Sequence, residues 1–335
     1  MKNKFKLVII IIILIIIYVY SLKISNHHDF NGLNEKIDQK LFDNKIDYKI
    51  EKYGSNETRN ITVIACYFKI QRSKHNHKKY EKWMIKFLAS VSSPLVLFTS
   101  EASFDPKLLK FRQNYPTTLY KIDSHWSILR NIEQLRNKTY IKNYKSNQFI
   151  LDPEKIKHNS DLYVIWNMKS FLANKIAQLN PYNSNVFIYS DIGAWRNEII
   201  IDWPNERVVE NLMHILNNRI LFGQISNSKI KKLLFYPQGD FIEGGFFMGN
   251  KIAIQWFENN FWNLHDSRMK KNYFIGKDET LMNLLAFEPK TRHSIVRLNA
   301  DNDCTYERWF FYQYFLASDY YYECFLNRNK LLMFS

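Results

Sequence analysis

From residue 61 onward the chain alternates short apolar runs with segments of helical period, and that alternation leaves few architectures open. Residues 61–68 (ITVIACYF) read as a strand buried on both faces. A helix follows, with Tyr80, Trp83, Met84, Phe87, Leu88 and Val91 at helical spacing. Residues 94–98 form a second strand that stops at Thr99 and Ser100, and residues 118–122 a third. Residues 160–179 make the clearest helix, with Ile165, Met168, Leu172, Ile176 and Leu179 on one face. Ser160 or Asp161 can cap it, and Asn180 with Pro181 ends it. A strand over residues 185–189 comes next. Further strands are expected at 219–223 and 245–249, and helices at 207–217, 252–261 and 278–287. Strands separated by helices from the start predict an α/β domain with a mainly parallel sheet flanked by helices. The chain has no internal repeat.

The amino terminus follows a different rule. Residues 7–20 (LVIIIIILIIIYVY) are unbroken apolar, with Lys2, Lys4 and Lys6 before them and Lys23 after. A membrane-spanning helix needs about 17 to 20 such residues. Counted from Phe5 to Leu22, with the flanking lysines snorkelling, the run reaches the lower limit. A cleaved signal peptide is the alternative, but Tyr18, Val19, Tyr20, Ser21 and Leu22 offer no small-x-small site. The lysine bias places the short tail in the cytosol. The expected layout is a cytosolic tail at 1–6, a transmembrane signal anchor at 7–22, a polar stem at 23–60 and a folded domain at 61–335. That is a single-pass type II membrane protein, whose domain in a eukaryotic cell would face the ER or Golgi lumen. Three sequons, at Asn56, Asn60 and Asn137, agree with a lumenal glycoprotein, although such triplets also arise by chance in an Asn-rich chain.

Charge adds a constraint on partners. The 47 basic and 32 acidic residues leave a formal charge of +15, which favours anionic partners such as a membrane surface, nucleic acid or a phosphorylated substrate. No zinc motif, helix-turn-helix or aromatic–glycine RNA-binding motif supports nucleic acid, and a lumenal location would exclude it. Cys66, Cys304 and Cys324 contain no CxxC. Cys66 falls inside a strand, whereas Cys304 and Cys324 can pair in an oxidising compartment.

Open α/β sheets bind ligands at the carboxyl ends of their strands. Residues 187–196 (FIYSDIGAWR) place Asp191 where a buried strand ends, with Gly193 two residues on and Arg196 five. A carboxylate there can hold a divalent cation, Mn or Mg, whose other ligands are diphosphate oxygens. Arg196 would neutralise the remaining phosphate charge. An Asp-x-Gly turn with a solvated arginine fits the same letters.

The pieces occur in a recognisable order. The first strand leads to Phe68-Lys69-Ile70-Gln71-Arg72, Tyr80 and Trp83, and the strand at 94–99 follows. Then come the helix bearing Trp166 and Lys169, Asp191-Ile192-Gly193, the segment 242–249 (IEGGFFMG) and Lys277-Asp278-Glu279. Over roughly residues 61–289 this resembles the HtrL/YibB family, and more broadly the GT-A-type (Rossmann-like) glycosyltransferases. The resemblance implies a nucleotide-sugar donor, UDP-sugar being favoured, bound by Arg72, Lys169, Asp191, Gly193, Arg196, Gly244 and Gly245. It also implies a glycan or other glycoconjugate acceptor. Many GT-A enzymes carry Asp-x-Asp where this chain has Gly193 in the third place, which leaves Asp191 as the one metal ligand there and metal dependence open. His265 and His293 are candidates for a further ligand, though a lone histidine is commonly structural.

Asp278 and Glu279 open a helix, where Asp278 suits an N-cap and either carboxylate suits a general base for an acceptor hydroxyl. Glu243 would serve the donor carbon if configuration is retained. The expectation is therefore a membrane-anchored, hexosyltransferase-like glycosyltransferase. The alternative is a non-catalytic sugar- or nucleotide-binding protein of the same fold.

Overall fold

The fold is built around β2 (Ile61–Tyr67), whose residues are buried almost throughout. Its parallel neighbours are β3 (Leu95–Thr99), with Val63 opposite Leu95, and β5 (Val186–Ser190), with Ile61 opposite Val186. The computed structural model describes Phe42 and residues 46–73, 75–226, 239–328 and 331–332. The tail at 1–6 and the expected anchor at 7–22 lie outside the described residues. Among the described residues no helix is long and apolar enough to cross a membrane. All elements below belong to the unit of residues 44–335.

Nine strands are described in one sheet, in the order β1-β4-β3-β2-β5-β7-β6-β8-β9. The remaining strands are β1 (Tyr48–Tyr53), β4 (Thr117–Ile122), β6 (Ile220–Gln224), β7 (Ile242–Gly249), β8 (Ile295–Asn299) and β9 (Leu331–Leu332). The sheet is mixed, which corrects the expectation of a mainly parallel one. Strands β1, β7 and β9 run against the other six, and β7 lies antiparallel to both β5 and β6. The apolar pattern could not reveal this, because a central strand is buried on both faces whichever way it runs. The β1 strand also falls inside the segment expected to be stem. Its residues are only half covered, so it carries the weak pattern of an edge strand.

Seven α-helices of nine or more residues are described around the sheet. They are α1 (His77–Ser90), α2 (His125–Arg136), α3 (Ser160–Leu179), α4 (Glu206–Leu216), α5 (Lys251–Lys270), α6 (Asp278–Phe287) and α7 (Asp319–Asn327). Asparagine starts several of them: Asn76, Asn159, Asn205 and Asn250 each accept a backbone N–H of the first turn. Asn159, rather than Ser160 or Asp161, thus caps α3. Lys277 occupies the cap position of α6, and Asp278 is its first helical residue instead of its N-cap. That shift frees the Asp278 carboxylate for other partners.

One face of the sheet packs on α1, α4 and the C-terminal helices, through Phe87, Trp195, Trp203, Phe246, Met248, Phe311 and Tyr312. On the other, Phe247 meets Phe257 of α5 and stacks on Tyr189. Cys304 and Cys324 form a disulfide that fastens α7 to the segment after β8. Cys66 is free and buried.

Candidate active site

After β2 the chain adds β3 and β4 on one side of it, then crosses to place β5 on the other. The boundary between β2 and β5 is therefore a topological switch point, where strand ends diverge and leave a crevice. A cleft of about 530 Å³ opens there. Cys66, Tyr67 and Phe68 line it from the end of β2, and Asp191 to Ala194 from the end of β5. Aromatic walls come from Tyr80, Trp166, Trp309 and Phe310.

Lys169 organises the floor. Its Nζ donates to Asp191 Oδ2 at 2.7 Å and to the Gly244 carbonyl at 2.9 Å. A third acceptor, Asp278 Oδ2, lies 2.9 Å away as an ion pair rather than a directed hydrogen bond. Burial disfavours the ammonium, but Asp191 and Asp278 more than offset it and raise the Lys169 pKa above the ordinary value. Asp278 behaves in the opposite sense. Burial pushes it up to about 6, against the lowering pull of Lys169 and with Glu279 and Asp191 adding to the rise. Tyr189 donates to Asp191 Oδ1 at 2.9 Å, so both carboxylate oxygens of Asp191 have protein partners. Cys66 Sγ lies 3.2 Å from the Tyr189 hydroxyl, and burial with the nearby Asp191 charge pushes its thiol up to about 12. It is not a nucleophile at neutral pH.

Gly244 and Gly245 bring bare backbone against these carboxylates. A Cβ at Gly244 would stand 2.8 Å from Glu279 Cγ and 2.9 Å from Asp278 Oδ1. One at Gly245 would stand 2.7 Å from Glu243 Oε1 and 3.3 Å from Asp191 Oδ2. Glycine is needed here for space, not for an unusual φ.

The structure gathers eight of the ten expected site residues in the cleft: Lys169, Asp191, Gly193, Arg196, Gly244, Gly245, Asp278 and Glu279. Arg196 is held with its Cζ 4.8 Å from the Trp83 ring and 4.8 Å from the Phe310 ring, and its Nε donates to the Gly193 carbonyl at 2.8 Å. Glu279 pairs with Lys277 at 2.6 Å. Arg72 does not line the cleft. Its guanidinium donates to the Ile156 carbonyl, and its own carbonyl accepts Asn159 Nδ2 at 3.1 Å, so it ties the loop after β2 to the start of α3. Glu243 is also outside the cleft lining. It is fully buried, faces Gly245 and Gly223, and neither carboxylate oxygen has a hydrogen-bond partner. Burial foremost, then the Asp191 charge, raises its pKa well above the carboxylate range. Its carboxyl group is turned toward Gly245 and Gly223 and does not line the cleft, unlike the expected position beside a donor carbon.

The cleft also holds a pair that sequence reading overlooked. His158 lines it, and its Nδ1 lies 3.1 Å from Asp152 Oδ2. Asp152 accepts in addition the Tyr163 hydroxyl at 2.6 Å and the Glu154 N–H at 2.7 Å. Burial would raise the Asp152 pKa, but these donors and His158 bring it below the ordinary value. The His158 ring meets Trp166 edge-on at 5.0 Å. A carboxylate on Nδ1 favours the tautomer whose Nε2 accepts a proton. No spacing rule marks a histidine six residues after an aspartate in a loop. The aromatic run Trp309-Phe310-Phe311-Tyr312 was the one signal that the C-terminal segment returns to the site.

A divalent cation fits these residues poorly. The Lys169 ammonium already occupies one face of Asp191, and the Tyr189 hydroxyl the other oxygen. Among the described residues no group of three His, Cys, Asp or Glu side chains converges as a metal would require. His265 is fully buried against Tyr144 OH at 2.6 Å and Asp266 at 3.2 Å, and neither it nor His293 lines the cleft.

A family model described as "Bacterial protein of unknown function (HtrL_YibB)" matches residues 59–297. No curated protein matches the chain.

Proposed function

The chain belongs to the HtrL_YibB family, to which no function is assigned, and on the strength of its site we propose that it is a glycosyltransferase of GT-A-like fold. It moves a sugar from a nucleotide-sugar donor, UDP-sugar being the favoured class, to a glycan, glycoprotein or glycolipid acceptor. The observation that carries this reading is the cleft at the β2/β5 switch point, where Asp191, Asp278 and Glu279 surround two glycines beneath aromatic walls. Fixed carboxylates accept hydroxyl protons of ribose or sugar, aromatic faces stack on bases and pyranose rings, and a guanidinium meets phosphate.

Residue roles follow from accessibility. Arg196 faces the donor phosphates, and Asp191 accepts hydroxyls of the donor. Glu279 lines the cleft where Asp278 is held beneath Lys169, so Glu279 and His158 are the groups available to take an acceptor proton. The apolar run at 7–22 would anchor the enzyme as a type II membrane protein. The Cys304–Cys324 disulfide supports an oxidising compartment for its catalytic part.

The test is nucleotide binding by the fragment from Asn44 onward. UDP, GDP and CMP are screened by thermal shift against the parent and Asp191→Ala. One nucleotide should stabilise the parent and not the variant, and its sugar conjugates should then release nucleotide on incubation. Stabilisation without any release or transfer favours the non-catalytic binding protein. No stabilisation by any nucleotide sinks the transferase reading and leaves a non-catalytic sugar-binding protein.

A further inference from the structure

We propose that Lys169 is a built-in cation that takes up the oxygen ligands a divalent metal would need in this cleft, so that the cleft binds a nucleoside diphosphate without one. The inference rests on the nucleotide-sugar reading and deepens it. Three observations carry it. First, the Lys169 Nζ has three oxygen neighbours within 2.9 Å, namely Asp191 Oδ2, Asp278 Oδ2 and the Gly244 carbonyl. Two carboxylates and a carbonyl are the oxygen set a hard cation would take. Second, the ammonium is not a mobile surface charge, since its side chain is only 5% exposed. Displacing it would leave a lysine buried without a partner, which is costly. Third, residue 193 is glycine and offers no second carboxylate with which Asp191 could hold a metal from the cleft side.

Phosphate charge then has to be met by another group. Lys169 is committed to protein oxygens, and Lys277 to Glu279 at 2.6 Å and Asp240 at 3.3 Å. Arg196 differs. Its Nε bonds to Gly193, its guanidinium is fixed between Trp83 and Phe310, and it lies on the cleft wall beside Asp191. A guanidinium held in one orientation loses little freedom on binding and presents paired donors to phosphate. The division of labour is therefore that Lys169 neutralises the carboxylates and Arg196 the diphosphate.

The experiment uses UDP and GDP as probes and reads binding, not turnover. Affinity for the parent is measured by calorimetry in EDTA and again with excess Mn²⁺. The expected result is the same dissociation constant within about twofold, and at least a tenfold loss in Arg196→Gln, on the order of a charge-assisted bond. Lys169→Ala is then melted with and without Mn²⁺ in the absence of nucleotide. The vacated oxygens should now take the ion, so Mn²⁺ raises the midpoint of this variant and leaves the parent unchanged. Binding that appears only with Mn²⁺ overturns the internal cation and leaves the nucleotide-sugar reading standing. Binding by neither UDP nor GDP, under both conditions, overturns that reading itself. Should Lys169→Ala not fold, the two parent titrations decide alone.

Discussion

The Lys169 ammonium sits 2.7 Å from the Asp191 carboxylate, a bond between the middle of α3 and the residue that ends β5. It joins the helix to the sheet at the switch point and sets the position of Asp191, whose carboxylate stays 31% exposed. Removing one member of a buried ionic group leaves the other charges unpaired, which costs about 3–5 kcal/mol. Lys169→Met should lose stability on that order in urea denaturation. Adding Asp278→Asn should recover part of the loss, because it removes one of the two stranded charges. Equal and additive losses would show that the two side chains do not act as a unit.

Stability should also report the Asp278 proton. Its folded pKa of about 6 stands above the 3.8 of an ordinary aspartate, so between those limits the native state binds the proton more tightly than the unfolded chain. Its contribution is complete below pH 4 and is lost as pH rises through 6, a change on the order of 3 kcal/mol. Glu243 is shifted in the same direction. Denaturation midpoints of the parent should therefore fall from pH 4 to 7 in this component, and Asp278→Asn should flatten the slope over that window. An unchanged slope would mean that Asp278 is ionised throughout.

Much of this architecture was legible in the letters. The α3 boundaries follow from period, and the ends of β2, β3 and β5 fall within one residue of those read from the apolar runs, because these elements are buried over most of their length. Strand direction was not legible, and β7 reversed the expected sheet. Caps slipped by one position at α3 and α6, since several polar residues in a row can each serve. At the site, residues next to glycine or at a strand end were found, as with Asp191, Gly244 and Gly245. Arg72 and Glu243 were expected at the site from the family resemblance; Arg72 is instead an exposed side chain tied to the Ile156 carbonyl, and Glu243 is buried against Gly245 and Gly223. Asp152 and His158 were invisible because their pairing depends on how a loop folds back.

The Cys304–Cys324 disulfide spans 20 residues and closes a loop that carries Trp309 and Phe310 to the cleft. A loop of this length stabilises by about 3 kcal/mol through the unfolded chain. Reduction, or the double variant Cys304→Ser with Cys324→Ser, should lower the melting temperature by roughly 5 °C for a domain of this size. Nucleotide binding should weaken as well, since the Phe310 ring helps fix Arg196. A melting temperature unaffected by reductant would contradict the stabilising role.

His158 offers a kinetic signature. It faces Asp152, Glu154, Tyr163 and Trp166, and Lys157 pairs with Glu154 beside it. As a general base it should contribute about 10²–10⁴-fold to nucleotide release from the donor that stabilises the protein. His158→Gln should keep the melting temperature within a few degrees, leave nucleotide binding unchanged and lower release by that order. Release at the parent rate would leave His158 as an anchor for the loop before α3.

The glycines separate space from flexibility. Gly244 has no positive φ to demand glycine. A Cβ there would still lie 2.8 Å from Glu279 Cγ and 2.9 and 3.0 Å from the Asp278 oxygens. Those atoms cannot all retreat, because Asp278 is held by Lys169 and by the Glu279 N–H at 2.9 Å. Gly244→Ala should therefore cost about 1–3 kcal/mol, the usual range for overpacking, and push the carboxylates into the cleft. Gly193→Ala is the control. Its Cβ would meet only Tyr80 Cε1, at an ordinary 3.4 Å, so it should fold like the parent and bind nucleotide nearly as well. The comparison is read by thermal shift with the stabilising nucleotide. If Gly244→Ala keeps the ligand-induced shift while Gly193→Ala loses it, the donor lies nearer the turn after β5 than the Asp278 floor, and the assignment of that floor to the donor fails.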